Sequence, residues 1–110
     1  MTYEQIATMI GQIGLPYTYY HFPEKEAPAP PFIVFWYPSR TDDPADNVNA
    51  GKILDLSIEL YTDNKDFTHE AAVENALTAA GLFYEKSETY IDSERMYEVL
   101  YETEVPLNEN

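Results

Sequence analysis

Four side chains in one short stretch have the types and spacing to hold a cation. They are Asp63, Asp66, His69 and Glu70. Asp66 and His69 lie three residues apart and would share a face of a helix. Two acids and an imidazole suit a divalent metal, which would make the chain a metal-dependent hydrolase. The same residues also describe an ordinary helix start. Asp66 is a good N-cap, and Glu70 falls in the first turn, near the positive end of the dipole. This second account explains the spacing without a ligand, so the expectation is no metal, no cofactor and no catalytic residue.

Other chemistry is missing from the chain. There is no Gly-rich phosphate loop, no G-x-S-x-G and no H-E-x-x-H. There is no cysteine, which excludes disulfides, zinc-thiolate sites and cysteine nucleophiles. The expectation is a protein that is not an enzyme.

The elements that would position these residues centre on residues 52–81. Leu54, Leu56, Ile58 and Leu60 alternate with Asp55, Ser57, Glu59 and Tyr61, the period of a half-buried strand. After the turn at 62–65, Val73, Leu77 and Ala80 recur at helical spacing, and Gly81 suits the position after the helix. Upstream, Thr2 and Gln5 form a capping box for a helix whose stripe is Ile6, Met9, Ile10 and Ile13. Gly14 and Pro16 end it. Residues 17–22 read as a short strand, and the Pro-rich 23–31 as a stiff connector. Residues 83–91 and 96–105 read as a hairpin turning at Asp92-Ser93-Glu94. The pattern predicts a single α+β domain over 1–110, with a mixed, mostly antiparallel sheet packed by two helices in the order α-β-β-β-α-β-β.

Two stretches stand out. Phe32–Tyr37 is apolar on both faces, and two helices are too few to cover both sides of a sheet. Phe32, Phe35, Trp36 and Tyr37 are therefore expected as anchors of an oligomer interface. Ten tyrosines, many on predicted strands, suit the same purpose. Residues 38–51 read as a long polar loop, and loops of that length are usually functional or mobile. Arg40, Asp42, Asp43, Asp46, Asn47 and Asn49 are its candidate residues. Read as a calcium loop from Asp46, it puts Val48 and Ala50 where ligands are needed, which excludes that motif.

Charge sets the partners. Twenty Asp and Glu against six Lys and Arg give a net charge of −14. Such a surface repels phosphates and anionic lipid, so sequence-specific nucleic-acid binding and membrane docking are not expected. It would attract a basic partner, which leaves an acidic DNA mimic or inhibitor as an alternative function. No stretch is long and apolar enough to span a membrane as a helix.

The segments Ala45-Asp46-Asn47, Ile58-Glu59-Leu60-Tyr61-Thr62 and Lys65-Asp66, with the spaced Glu74 and Leu77, resemble small proteins from the structural gene clusters of long-tailed bacteriophages and prophages. Leu15-Pro16-Tyr17, His21-Phe22, Tyr84-Glu85-Lys86, Tyr90-Ile91 and Met96-Tyr97-Glu98-Val99 extend the resemblance over most of the chain. The family is that of tail-completion and tail-terminator proteins. The resemblance implies a small α/β fold, assembly with copies of itself as a ring, typically a hexamer, and contact with tail-tube and head-connector proteins. It implies a place at the head–tail junction of a virion, after synthesis in a bacterial host cytoplasm. The acidic surface suits a ring through which DNA passes without sticking.

Overall fold

The computed structural model describes residues 1–43 and 51–108. Helix α1 (Tyr3–Gln12) starts at the expected capping box: the Gln5 amide donates to Thr2 Oγ1 at 3.1 Å, and the Thr2 amide donates to Gln5 Oε1 at 2.9 Å. Strands β1 (Tyr17–Tyr19), β2 (Phe32–Trp36), β3 (Arg40–Asp43) and β4 (Gly51–Thr62) follow, then helix α2 (Phe67–Ala79), and last the hairpin of β5 (Tyr84–Ile91) and β6 (Met96–Pro106).

All six strands form one sheet in the order β1-β2-β4-β6-β5, with β3 also pairing with β4. The β1–β2 pair is parallel and every other pair is antiparallel. This is the mixed α+β architecture read from the sequence, with one added strand. Arg40–Asp43, expected within a long loop, pairs with Leu54–Gly51 at the start of β4. The neighbour supplies the ladder that these polar residues would not form alone. Strand β1 ends sooner than expected, because Tyr20 adopts φ 69° and turns the chain out of the sheet.

Period-2 burial divides the sheet into two unlike faces. Leu54, Leu56, Ile58 and Leu60 of β4 share one face with Val99, Tyr101 and Val105 of β6 and with Ile33 and Phe35 of β2. Ile6, Met9 and Ile10 of α1 and Val73 and Leu77 of α2 close over them in one core. Among the described residues, the other face carries no helix. Residues 20–22 fold back over its β2 end, where Phe22 meets Phe32 edge-on and Tyr20 meets Trp36 edge-on. None of the described loops or helices packs over the β4–β6–β5 end of that face.

Candidate functional site

The acidic stretch before α2 is spent on structure. Asp66 caps the helix by accepting from the His69 amide at 3.0 Å, and its Oδ2 lies 2.5 Å from His69 Nδ1. The backbone amide of His69, then its ring, holds the Asp66 carboxyl below its ordinary value. Glu70 points the other way, into the core, and is 1% exposed. Lys65 Nζ meets it at 2.6 Å and Lys86 Nζ at 2.9 Å. Lys86 also binds Glu74 at 2.8 Å, and Lys65 also binds Glu88. The Tyr101 hydroxyl donates to Glu74 at 2.8 Å.

Burial alone would raise the Glu70 carboxyl, but the hydrogen bonds from the two lysines outweigh it and leave it lowered. The hydrogen bonds to Glu74 and Glu70 push the Lys86 ammonium up to about 12. This network pins α2 to the outer strand β5. Of the four residues that spacing brought together, Asp66 and His69 pair with each other, Glu70 belongs to the lysines and Asp63 is exposed. Among the described residues, no group of three His, Cys, Asp or Glu is placed to hold a metal.

The aromatic strand is split between the faces. Phe35, 5% exposed, enters the helix-side core and meets Tyr19 edge-on at 5.4 Å. Phe32, 7% exposed, lies on the opposite face, stacked on Tyr61 at 5.1 Å. Their own chain therefore covers both rings. Trp36 and Tyr37 are half-buried. Tyr37 sits between Tyr3 and Tyr19, and burial, followed by the charges those neighbours would carry, pushes its hydroxyl up to about 12. Exposed Tyr17, Tyr19 and Tyr20 continue this aromatic rim along β1.

The loop candidates separate as well. Arg40 and Asp42 sit in β3, where Arg40 Nε lies 2.8 Å from Asp42 Oδ1. Asp43 ends that strand. Asp46, Asn47 and Asn49 lie outside the described residues.

The helix-free face holds what the sequence reading missed. Pairing of β4 with β6 sets Asp55 opposite Glu104, and pairing of β5 with β6 sets Glu85 opposite Glu102. Further along, the Tyr61 hydroxyl lies 3.1 Å from both Glu59 and Glu98 and shares its one proton between them. Desolvation raises Glu59 above its ordinary value, opposed by the Tyr61 hydrogen bond and reinforced by the Glu98 charge. The signal was present in the acid-apolar alternation of both strands. Only the register shows that the acids form adjacent rows.

No protein-family model matches the chain, and no curated protein matches it. A solved structure does. It is a chain of the "Virion of native gene transfer agent (GTA) particle". The likeness has a TM-score of 0.54 at 18% identity and covers 94% of this chain and 90% of that one. At that identity it is a likeness of fold, extending from end to end.

Proposed function

We propose that this chain is a non-enzymatic structural protein of a phage-like virion. In this reading it forms a ring at the head–tail junction, as a tail-terminator or tail-completion protein. The end-to-end fold likeness to a chain of a gene transfer agent virion carries the reading. Three features agree with it. The best catalytic constellation is consumed by a cap and an ion-pair network. The surface is strongly acidic, as a wall beside passing DNA should be. An aromatic rim made of Trp36, Tyr37, Tyr17, Tyr19 and Tyr20 lies at one edge of the sheet.

A closed ring requires a head-to-tail interface between unlike surfaces. The β1–β2 edge offers one of them, with Trp36 and Tyr37 as the side chains a neighbour can reach. Phe32 and Phe35 stiffen the strand from within. The partners are copies of the same chain, hexameric in this reading, then tail-tube and head-connector proteins, and the location is the virion.

Absolute mass by light scattering across a concentration series tests the assembly. A closed oligomer that grows in with concentration is expected. A strict monomer at every concentration would count against the ring and favour the acidic DNA-mimic alternative.

A further inference from the structure

A groove of about 700 Å³ opens on the helix-free face, where β4, β6 and β5 begin or end. Asp55, Ser57, Glu102 and Glu104 form its floor. Pro38 stands at one wall, beside Ser39, whose Oγ donates to Asp55 Oδ2 at 2.5 Å and whose carbonyl accepts from the Asp55 amide at 2.8 Å. Phe83 stands at the other, with Ile53 and Pro106 at the end. Phe83 is 96% exposed. Leu82 is buried and Tyr84 packs against the core, so strand alternation turns Phe83 to the helix-free side together with Glu85. Its carbonyl is fixed by the Thr103 hydroxyl. A solvent-facing aromatic ring on an anchored backbone, beside four carboxylates, is a surface waiting for a partner.

We propose that this groove docks a segment of another protein that carries lysine or arginine around an apolar anchor. The anchor would cover Phe83, Ile53 and Pro106, and the cations would sit among Asp55, Glu85, Glu102 and Glu104. Charge complementarity chooses the occupant. Like charges opposed across a strand pair are unfavourable, and Asp55–Glu104 and Glu85–Glu102 are two such pairs. A cation between them turns repulsion into attraction. Three of this chain's six cations are engaged elsewhere: Lys65 and Lys86 serve Glu70 on the other face, and Arg40 pairs with Asp42. A second copy brings the same net −14. Nucleic acid and anionic lipid have the wrong sign. The inference stands whether or not the chain forms a ring.

The test uses the ¹⁵N-labelled 110-residue chain and the peptide Lys-Lys-Leu-Val-Lys-Lys. Titration should give saturable amide shifts at Ile53, Asp55, Phe83, Glu102 and Glu104. Phe83→Ser and Glu104→Gln, both at exposed positions, should each weaken binding about tenfold, as loss of an anchor or a facing charge does. Replacing the peptide's Leu-Val by Ser-Ser should cost a similar factor. Glu4→Gln and Glu94→Gln, which are exposed and away from the groove, should leave binding unchanged. Absence of saturable shifts, or equal weakening by Glu4→Gln and Glu94→Gln, would overturn the proposal in favour of diffuse charge attraction. Loss of a homo-oligomer on Phe83→Ser would overturn it in favour of a second copy as the occupant.

Discussion

Lys86 Nζ lies 2.9 Å from Glu70 Oε1, joining the buried face of α2 to the outermost strand of the sheet. Few other devices hold β5 to the helix layer, since most of its side chains are exposed. Glu70→Ala removes the hub and leaves Lys65 and Lys86 facing a cavity. Breaking a fully buried pair costs about 3–5 kcal/mol. Both lysines are partly exposed, at 29% and 37% of their side chains, so the expected loss is nearer about 2 kcal/mol once solvent screening is allowed for. Chemical denaturation should show this as a lower midpoint with an unchanged slope. A loss below about 0.5 kcal/mol would mean that the network adds only surface charge.

Acid should act in two opposed stages. The Glu59 carboxyl is raised, so the folded protein binds its proton more readily, and stability rises as pH falls through Glu59's folded value toward the ordinary 4.5. Glu70, Glu74 and Asp66 are lowered. Their contribution is complete above the ordinary Glu and Asp values of 4.5 and 3.8 and is lost as pH falls through their folded values. Melting temperature should therefore climb from neutral pH into the mildly acidic range and fall steeply below it. Glu59→Gln should flatten the climb and leave the fall intact. A monotonic decline from neutral pH would show that neither the burial of Glu59 nor the Glu98 charge beside it costs the folded state anything.

Thr2→Ala tests the start of α1. The capping box satisfies two amides that the helix cannot, so about 1 kcal/mol is at stake. For a domain of about 100 residues that corresponds to a drop of about 4–8 °C in the melting temperature. Thr2→Asn should recover most of it, because asparagine caps as well as threonine. An equal loss in both variants would mean that the cap is not what Thr2 contributes.

That cap was legible from residues 2–5 alone, as were the Asp66 cap and the alternation of β4 and β6. Local patterns declare themselves over a few residues. Features that depend on distant neighbours did not. Arg40–Asp43 has little strand preference and pairs only because β4 lies beside it. Glu70 read as a first-turn acid, yet its buried position depends on Lys86, sixteen residues later in the chain and on the next element. Phe32 and Phe35 read as equally available for an interface, whereas Tyr61, Phe22 and Tyr19, from three separate segments, cover them. Phe83 read as the first residue of a strand. Only the register shows it standing beside two rows of acids.

Trp36→Asp separates assembly from folding. Trp36 is half-buried on the helix-free face and meets Tyr20 edge-on at 5.6 Å. It is not part of the central core, so the variant should remain folded, with a loss on the order of 1–2 kcal/mol for the aromatic contact and its buried area. If the β1–β2 edge is the assembly surface, an aspartate there should abolish oligomers in light scattering while circular dichroism keeps its folded form. Global unfolding would place Trp36 among the residues the monomer cannot lose. Intact oligomers would move the interface elsewhere.

Salt distinguishes the two surfaces. Subunits of net charge −14 repel one another, and the Debye length falls from about 30 Å at 0.01 M salt to about 3 Å at 1 M. An aromatic self-interface gains from the screening, so oligomer mass should rise with sodium chloride. The groove on the helix-free face depends on opposite charges, so binding of the lysine peptide should weaken over the same range. Opposite slopes from one preparation would show two surfaces of different chemistry. Oligomers that dissolve in salt would instead place ion pairs at the subunit contact, and Trp36 and Tyr37 would no longer explain assembly.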